Sequence, residues 1–108
     1  LAGQIPIVSY DGTPDAVKLC ISGEILCTVS TDPYWAGGIA LSLAHHAAIG
    51  SFKPSAEPHE HRQFYGPTIM ITKDDAQKWY QENIVNTPVV DWNNFWQASK
   101  GPIQYRKL

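Results

Sequence analysis

Twice in its first third the chain passes from a short apolar segment through small polar residues and an acid into a proline. The first copy is Ile5-Pro6-Ile7-Val8-Ser9-Tyr10-Asp11-Gly12-Thr13-Pro14-Asp15, and the second is Thr28-Val29-Ser30-Thr31-Asp32-Pro33-Tyr34-Trp35. Short β-branched runs of this kind form buried strands. Proline is favoured at the first helical position because its missing N–H would be unpaired there anyway. The pattern predicts polar side chains and helix N-termini at the carboxyl ends of neighbouring strands, where open α/β sheets bind small polar ligands.

Element by element, Ile5–Ser9 reads as a buried strand. Thr13 is positioned to cap a helix, with Pro14 at its first position and Asp15 favoured by the dipole. That helix carries Ala16, Val17, Leu19, Cys20 and Ile21 and stops at Ser22-Gly23. Ile25–Ser30 forms the next strand, so strand, helix and strand predict a parallel pair. Thr31 or Asp32 caps a second helix whose apolar residues Ala36, Ile39, Ala40, Leu43, Ala44 and Ala47 fall at helical spacing, with Gly50 at its end. Residues 50–64, with Pro54 and Pro58, read as a surface loop. Gly66–Thr72 is a third strand, and Pro67 assigns its start to an edge or a bend. Thr72 with Asp75 resembles a capping box opening a helix that runs to about Asn83. From Thr87 onward, Val89, Val90, Trp92, Phe95 and Trp96 among polar residues predict a tail packed on the body, with a short helix near Trp92–Ser99. Three strands do not complete a doubly wound sheet, so the expectation is part of a larger fold.

The bulk composition excludes several classes. An apolar fraction of 44% in 108 residues fits one globular domain and argues against disorder. Eight basic and ten acidic residues give a net charge of −2, which offers no basic stripe for nucleic acid. No apolar run reaches the length of a transmembrane helix. No leader of charged, apolar and small residues precedes Leu1, so the expected chain starts after processing or partway through a longer protein. Cys20 and Cys27 have neither zinc nor redox spacing, and read as two buried thiols or a disulfide.

Other constellations carry little chemistry. Glu57, His59, Glu60 and His61 are the one metal-like cluster, but its ligand spacing is too sparse for a closed zinc site, and a solvated loop is expected. Adjacent His45 and His46 face different sides of a helix and read as surface or packing residues. Ser9, Ser30 and Ser42 lack a nucleophile-elbow context and a histidine to activate them. No enzyme, metal or cofactor is expected. Asp11 reads either as a turn residue, because Asp-Gly before Thr-Pro satisfies local backbone groups, or as a ligand. Thr31 and Asp32 divide between helix capping and ligand contact.

The words Ser9–Ala16, Ser22-Gly23-Glu24-Ile25 and Thr28–Tyr34, followed by Pro67–Asp75, resemble the C-terminal third of a type I periplasmic sugar-binding protein. This is the ribose, galactose and xylose-binding group of ABC transporter substrate-binding proteins. The resemblance covers roughly residues 4–83 in the family's order. It implies an α/β chain, part of a three-layer αβα periplasmic-binding-protein-like fold that is incomplete without upstream sequence. Residues 1–30 and 66–83 would belong to the C-terminal lobe, 31–65 would contribute to the N-terminal lobe, and 84–108 would form the tail.

Residue by residue, Asp11 matches the family's cleft aspartate, which accepts hydrogen bonds from sugar hydroxyls. Thr31 falls where many relatives carry glutamine, and Asp32 or Tyr10 is positioned to compensate; Tyr34 and Trp35 are candidates for stacking on a sugar ring. The resemblance implies a non-catalytic solute receptor of an ABC-type importer, holding a monosaccharide or similar polyol between two lobes. Its partners would be that sugar, the upstream portion of the same protein and an ABC permease in the membrane, without nucleic acid. Its location would be periplasmic or extracellular, with a lipid anchor left open. The alternative is the effector-binding domain of a lactose-repressor-type regulator, or the ligand-sensing ectodomain of a signalling receptor.

Overall fold

The computed structural model describes residues 4–59, 64–94 and 104–105. They fall into two compact units: residues 1–32 with 68–89, and residues 33–67 with 90–108.

The first unit is built on a three-stranded sheet. Strand β1 (Val8–Tyr10) lies parallel to the central strand β2 (Cys27–Ser30), and helix α1 (Pro14–Ser22) connects them. The strand–helix–strand pattern therefore gives the expected parallel pair. On the far side of β2 runs β4 (Ile69–Thr72), antiparallel to it and at the edge of the sheet, with Pro67, read as marking an edge or a bend, just before it. Helix α3 (Lys73–Tyr80) follows β4 directly and ends in a π-helical turn over Gln81–Val85.

Local chemistry accounts for α1 in full. Thr13 Oγ1 accepts the Ala16 N–H at 3.4 Å, Pro14 occupies the first turn with Asp15, and Gly23 closes the helix at φ 83°. A side chain at that φ would be strained, which is why glycine stands there. At α3 the expected capping box is not formed. Thr72 Oγ1 donates to the Asp75 carboxylate at 3.0 Å and makes no bond to a backbone N–H. The shorter aspartate attracts the hydroxyl itself, where a glutamate would reach back to the backbone.

Register fixes the two faces of the sheet, because partners across a ladder share a face. Ser9, Thr28 and Ile71 align on one face. Tyr10, Val29 and Met70 align on the other. The core lies on the first face, where Val17 and Cys20 of α1 meet Ile25, Ile71 and Ala76, with Trp79, Tyr80 and Ile84 packed around them. Each fully buried side chain such as Ile71 or Val17 contributes about 1.5–3 kcal/mol. On the second face Val8, Tyr10 and Met70 remain exposed.

The buried strand expected over Ile5–Ser9 is thus corrected. The residue ladder runs from Val8, preceded by the Ile7 carbonyl accepting the Leu26 N–H at 2.8 Å, and β1 is an exposed edge strand. The two cysteines are free and buried. Burial first, then the nearby Cys27, pushes the Cys20 thiol above the usual thiol range. Its Sγ donates to the Ile71 carbonyl at 3.7 Å.

In the second unit, α2 (Pro33–Ala48) buries Gly38, Ile39 and Ser42. Of the apolar residues at helical spacing, Ala36, Ala40, Ala44 and Ala47 are exposed. Alanine burial contributes little, so the larger Ile39 decides the helix's orientation. Beyond Gly50, at φ 78°, the segment read as loop contains a short 3-10 turn at Pro54–Ala56 and strand β3 (Phe64–Tyr65). β3 pairs antiparallel with β5 (Gln104–Tyr105). Two residues after Val90 touch α2: the Asn93 carbonyl accepts from His46 Nε2 at 3.0 Å, and Trp92 meets the His45 ring edge-on. Of the helix expected near Trp92–Ser99, residues 95–99 lie outside the described residues, as do Glu60 and His61.

Candidate functional site

At the carboxyl ends of β1 and β2 the backbone departs from ordinary geometry twice. Asp11 has φ 81° and Asp32 has φ 50°, and they are the two non-glycine residues with positive φ among the described residues. L-residues lose roughly 1–2 kcal/mol in the left-handed region, aspartate less than most because its carboxylate bonds locally. Two adjacent strands therefore end in the same unusual manner, each on an acid. Backbone outliers of this kind persist only where surrounding contacts hold them, and they concentrate at functional sites.

Two buried hydroxyls supply those contacts. Thr28 and Ser30 lie two apart on the inner face of β2, and both are fully buried. Thr28 Oγ1 accepts the Gly12 N–H at 3.2 Å, and Ser30 Oγ accepts the Asp32 N–H at 3.2 Å. Each bond contributes about 0.5–1.5 kcal/mol net, the same order as the left-handed penalty it opposes. Gly12 itself sits at φ 58°, and a Cβ there would come within 2.8 Å of the Ser30 Cβ. The loop after β1 consequently lies directly against β2, and only glycine fits.

Of the residues singled out in the sequence, Asp11 and Thr31 are exposed at this rim, and Asp32 is half-buried. Tyr10 ends β1 beside Val29 on the outer face, with its side chain 61% exposed. The parallel register brings Asp11 and the Thr31-Asp32 pair to the ends of neighbouring strands, beside the N-terminus of α1. Tyr34 and Trp35 belong to the second unit, where the Trp35 ring covers Gly66 so closely that a Cβ there would lie 2.7 Å from it. The rim can accept hydrogen bonds through ionised carboxylates, which are acceptor-only and take two donors each.

The hydroxyls of Thr28 and Ser30 escaped sequence reasoning, which weighed Ser30 only as a nucleophile. The signal was present as two polar residues at i and i+2 in a strand otherwise suited to burial. Among the described residues no group of three metal-ligating side chains gathers. No helix of the described residues is long and apolar enough to cross a membrane.

No family model and no curated protein matches the chain. A solved structure, the twin-arginine translocation pathway signal protein from Burkholderia phytofirmans, is similar over 98% of this chain at 33% identity, with a TM-score of 0.74. The chain spans about a third of that protein, 32% of its length. The mixed α/β fold expected from the sequence is shared with this structure.

Proposed function

We propose that this chain is part of a solute-binding protein, of the type I periplasmic sugar-binding kind, that holds a monosaccharide or similar polyol at the rim formed by β1 and β2. One observation carries the reading: two aspartates stand in left-handed backbone at the carboxyl ends of adjacent parallel strands. Vicinal hydroxyls present paired donors, and an ionised carboxylate accepts both. Asp11 is the principal ligand, with Thr31, Asp32 and Tyr10 beside it. The likeness to a protein named for an export pathway supports a periplasmic location, and the ordered match of sequence words supports a binding role. Delivery to an ABC permease in the membrane completes the proposal.

Calorimetric titration of the protein against pentoses, hexoses and cyclic polyols tests it. At least one should bind, and Asp11→Ala should weaken that binding by about a hundredfold, since charge-assisted bonds contribute roughly 1.5–3 kcal/mol each. The far-UV circular dichroism should stay unchanged because Asp11 is exposed. Failure of the whole panel to bind, or an Asp11→Ala variant with wild-type affinity, overturns the assignment.

A further inference from the structure

We propose that Thr28 and Ser30 are positioning residues, whose buried hydroxyls set the backbone on which Asp11 and Asp32 present their carboxylates. The inference rests on the solute-binding reading for its functional consequence, and on geometry alone for its structural one. Burying two hydroxyls in the central strand of a sheet is unfavourable unless each finds a partner. Here each partner belongs to one of the two unusual turns.

The peptide plane between Asp11 and Gly12 turns with Asp11 ψ, and Thr28 Oγ1 holds the N–H of that plane; φ and ψ are coupled in the small left-handed basin, so releasing ψ lets Asp11 leave it in φ as well. The plane between Thr31 and Asp32 turns with Asp32 φ, and Ser30 Oγ holds its N–H. One face of β2 thus fixes both strand ends. Ser30 does so twice, because its Cβ also forms the wall against which Gly12 is seated. Thr28 and Ser30 are fully buried and out of reach of a solute, so their influence on binding runs through the two acids.

The test uses Thr28→Val, Thr28→Ser and Ser30→Ala, with Ala76→Gly in α3 as a core change distant in role from the rim. Two properties are read: affinity for the tightest polyol of the panel, and the sign of φ at residues 11 and 32. The second comes from backbone chemical shifts and the intraresidue HN–Hα NOE, which is strong at positive φ. Thr28→Val and Ser30→Ala should each weaken binding about tenfold, by removal of one hydrogen bond. They should also shift residue 11 or 32, respectively, out of the left-handed region. Thr28→Ser, which keeps the hydroxyl, should restore both properties. Ala76→Gly should lower the melting temperature and leave both unchanged.

Affinity losses in Thr28→Val and Ser30→Ala no larger than in Ala76→Gly overturn the inference. So does unchanged φ at residues 11 and 32 in these variants. If the wild-type protein binds no polyol, the solute-binding reading fails on its own. The φ measurement then decides the positioning role independently.

Discussion

Single residues at the rim divide by whether their chemistry is local. Thr13 and Gly23 act on backbone groups within a few positions, so residue type alone signals them. Thr28 bonds a residue sixteen positions away, and nothing in its neighbours along the chain announces that partner. Ser9 offers a contrast on the same face. It lies beside Thr28 in the ladder, and its Oγ is buried with no hydrogen-bond partner among the described residues. A buried hydroxyl without a partner costs about 1–3 kcal/mol, which makes its removal unusual in direction. Ser9→Ala should leave stability unchanged or raise it by about 1 kcal/mol, whereas most core substitutions destabilise. Urea unfolding at constant m-value measures this, and a clear loss of stability would show that the hydroxyl is bonded.

Among the elements, α1 was fully legible because its cap, proline, dipole charge and terminal glycine all agree. The capping motif at α3 misled for a physical reason, since Thr72 bonds the Asp75 side chain and caps no backbone N–H. The two threonines should therefore respond unequally to truncation. Thr13→Ala removes a true cap and should cost about 1 kcal/mol. Thr72→Ala loses only an exposed side-chain bond and should stay within about 0.5 kcal/mol of wild type. Thermal melts of the two variants compare them directly, and equal losses would contradict the geometry. The β3–β5 ribbon was not legible, because two-residue strands carry no period to detect and their pairing joins residues forty positions apart.

At the scale of the molecule, the sheet of the first unit has its core on one face. Sequence reasoning anticipated the parallel pair, and an edge or a bend at the start of the third strand, but it read β1 as buried because Ile5, Ile7 and Val8 look like a core run. Hydrophobicity along a strand states which residues can be buried, not which side receives a covering helix. The distinction is measurable with two valines. Val17, on α1, is 0% exposed and touches the core cluster, while Val8, on β1, is 64% exposed on the opposite face. Truncation at Val17 removes buried methyl groups and leaves a void, so Val17→Ala should cost about 2–3 kcal/mol. Val8→Ala removes the same atoms from a site already in contact with water and should cost no more than about 0.5 kcal/mol. Denaturant titrations of both variants in the same protein give the comparison. Equal losses would mean that the outer face of this sheet is covered in solution, and the one-sided core would have to be abandoned.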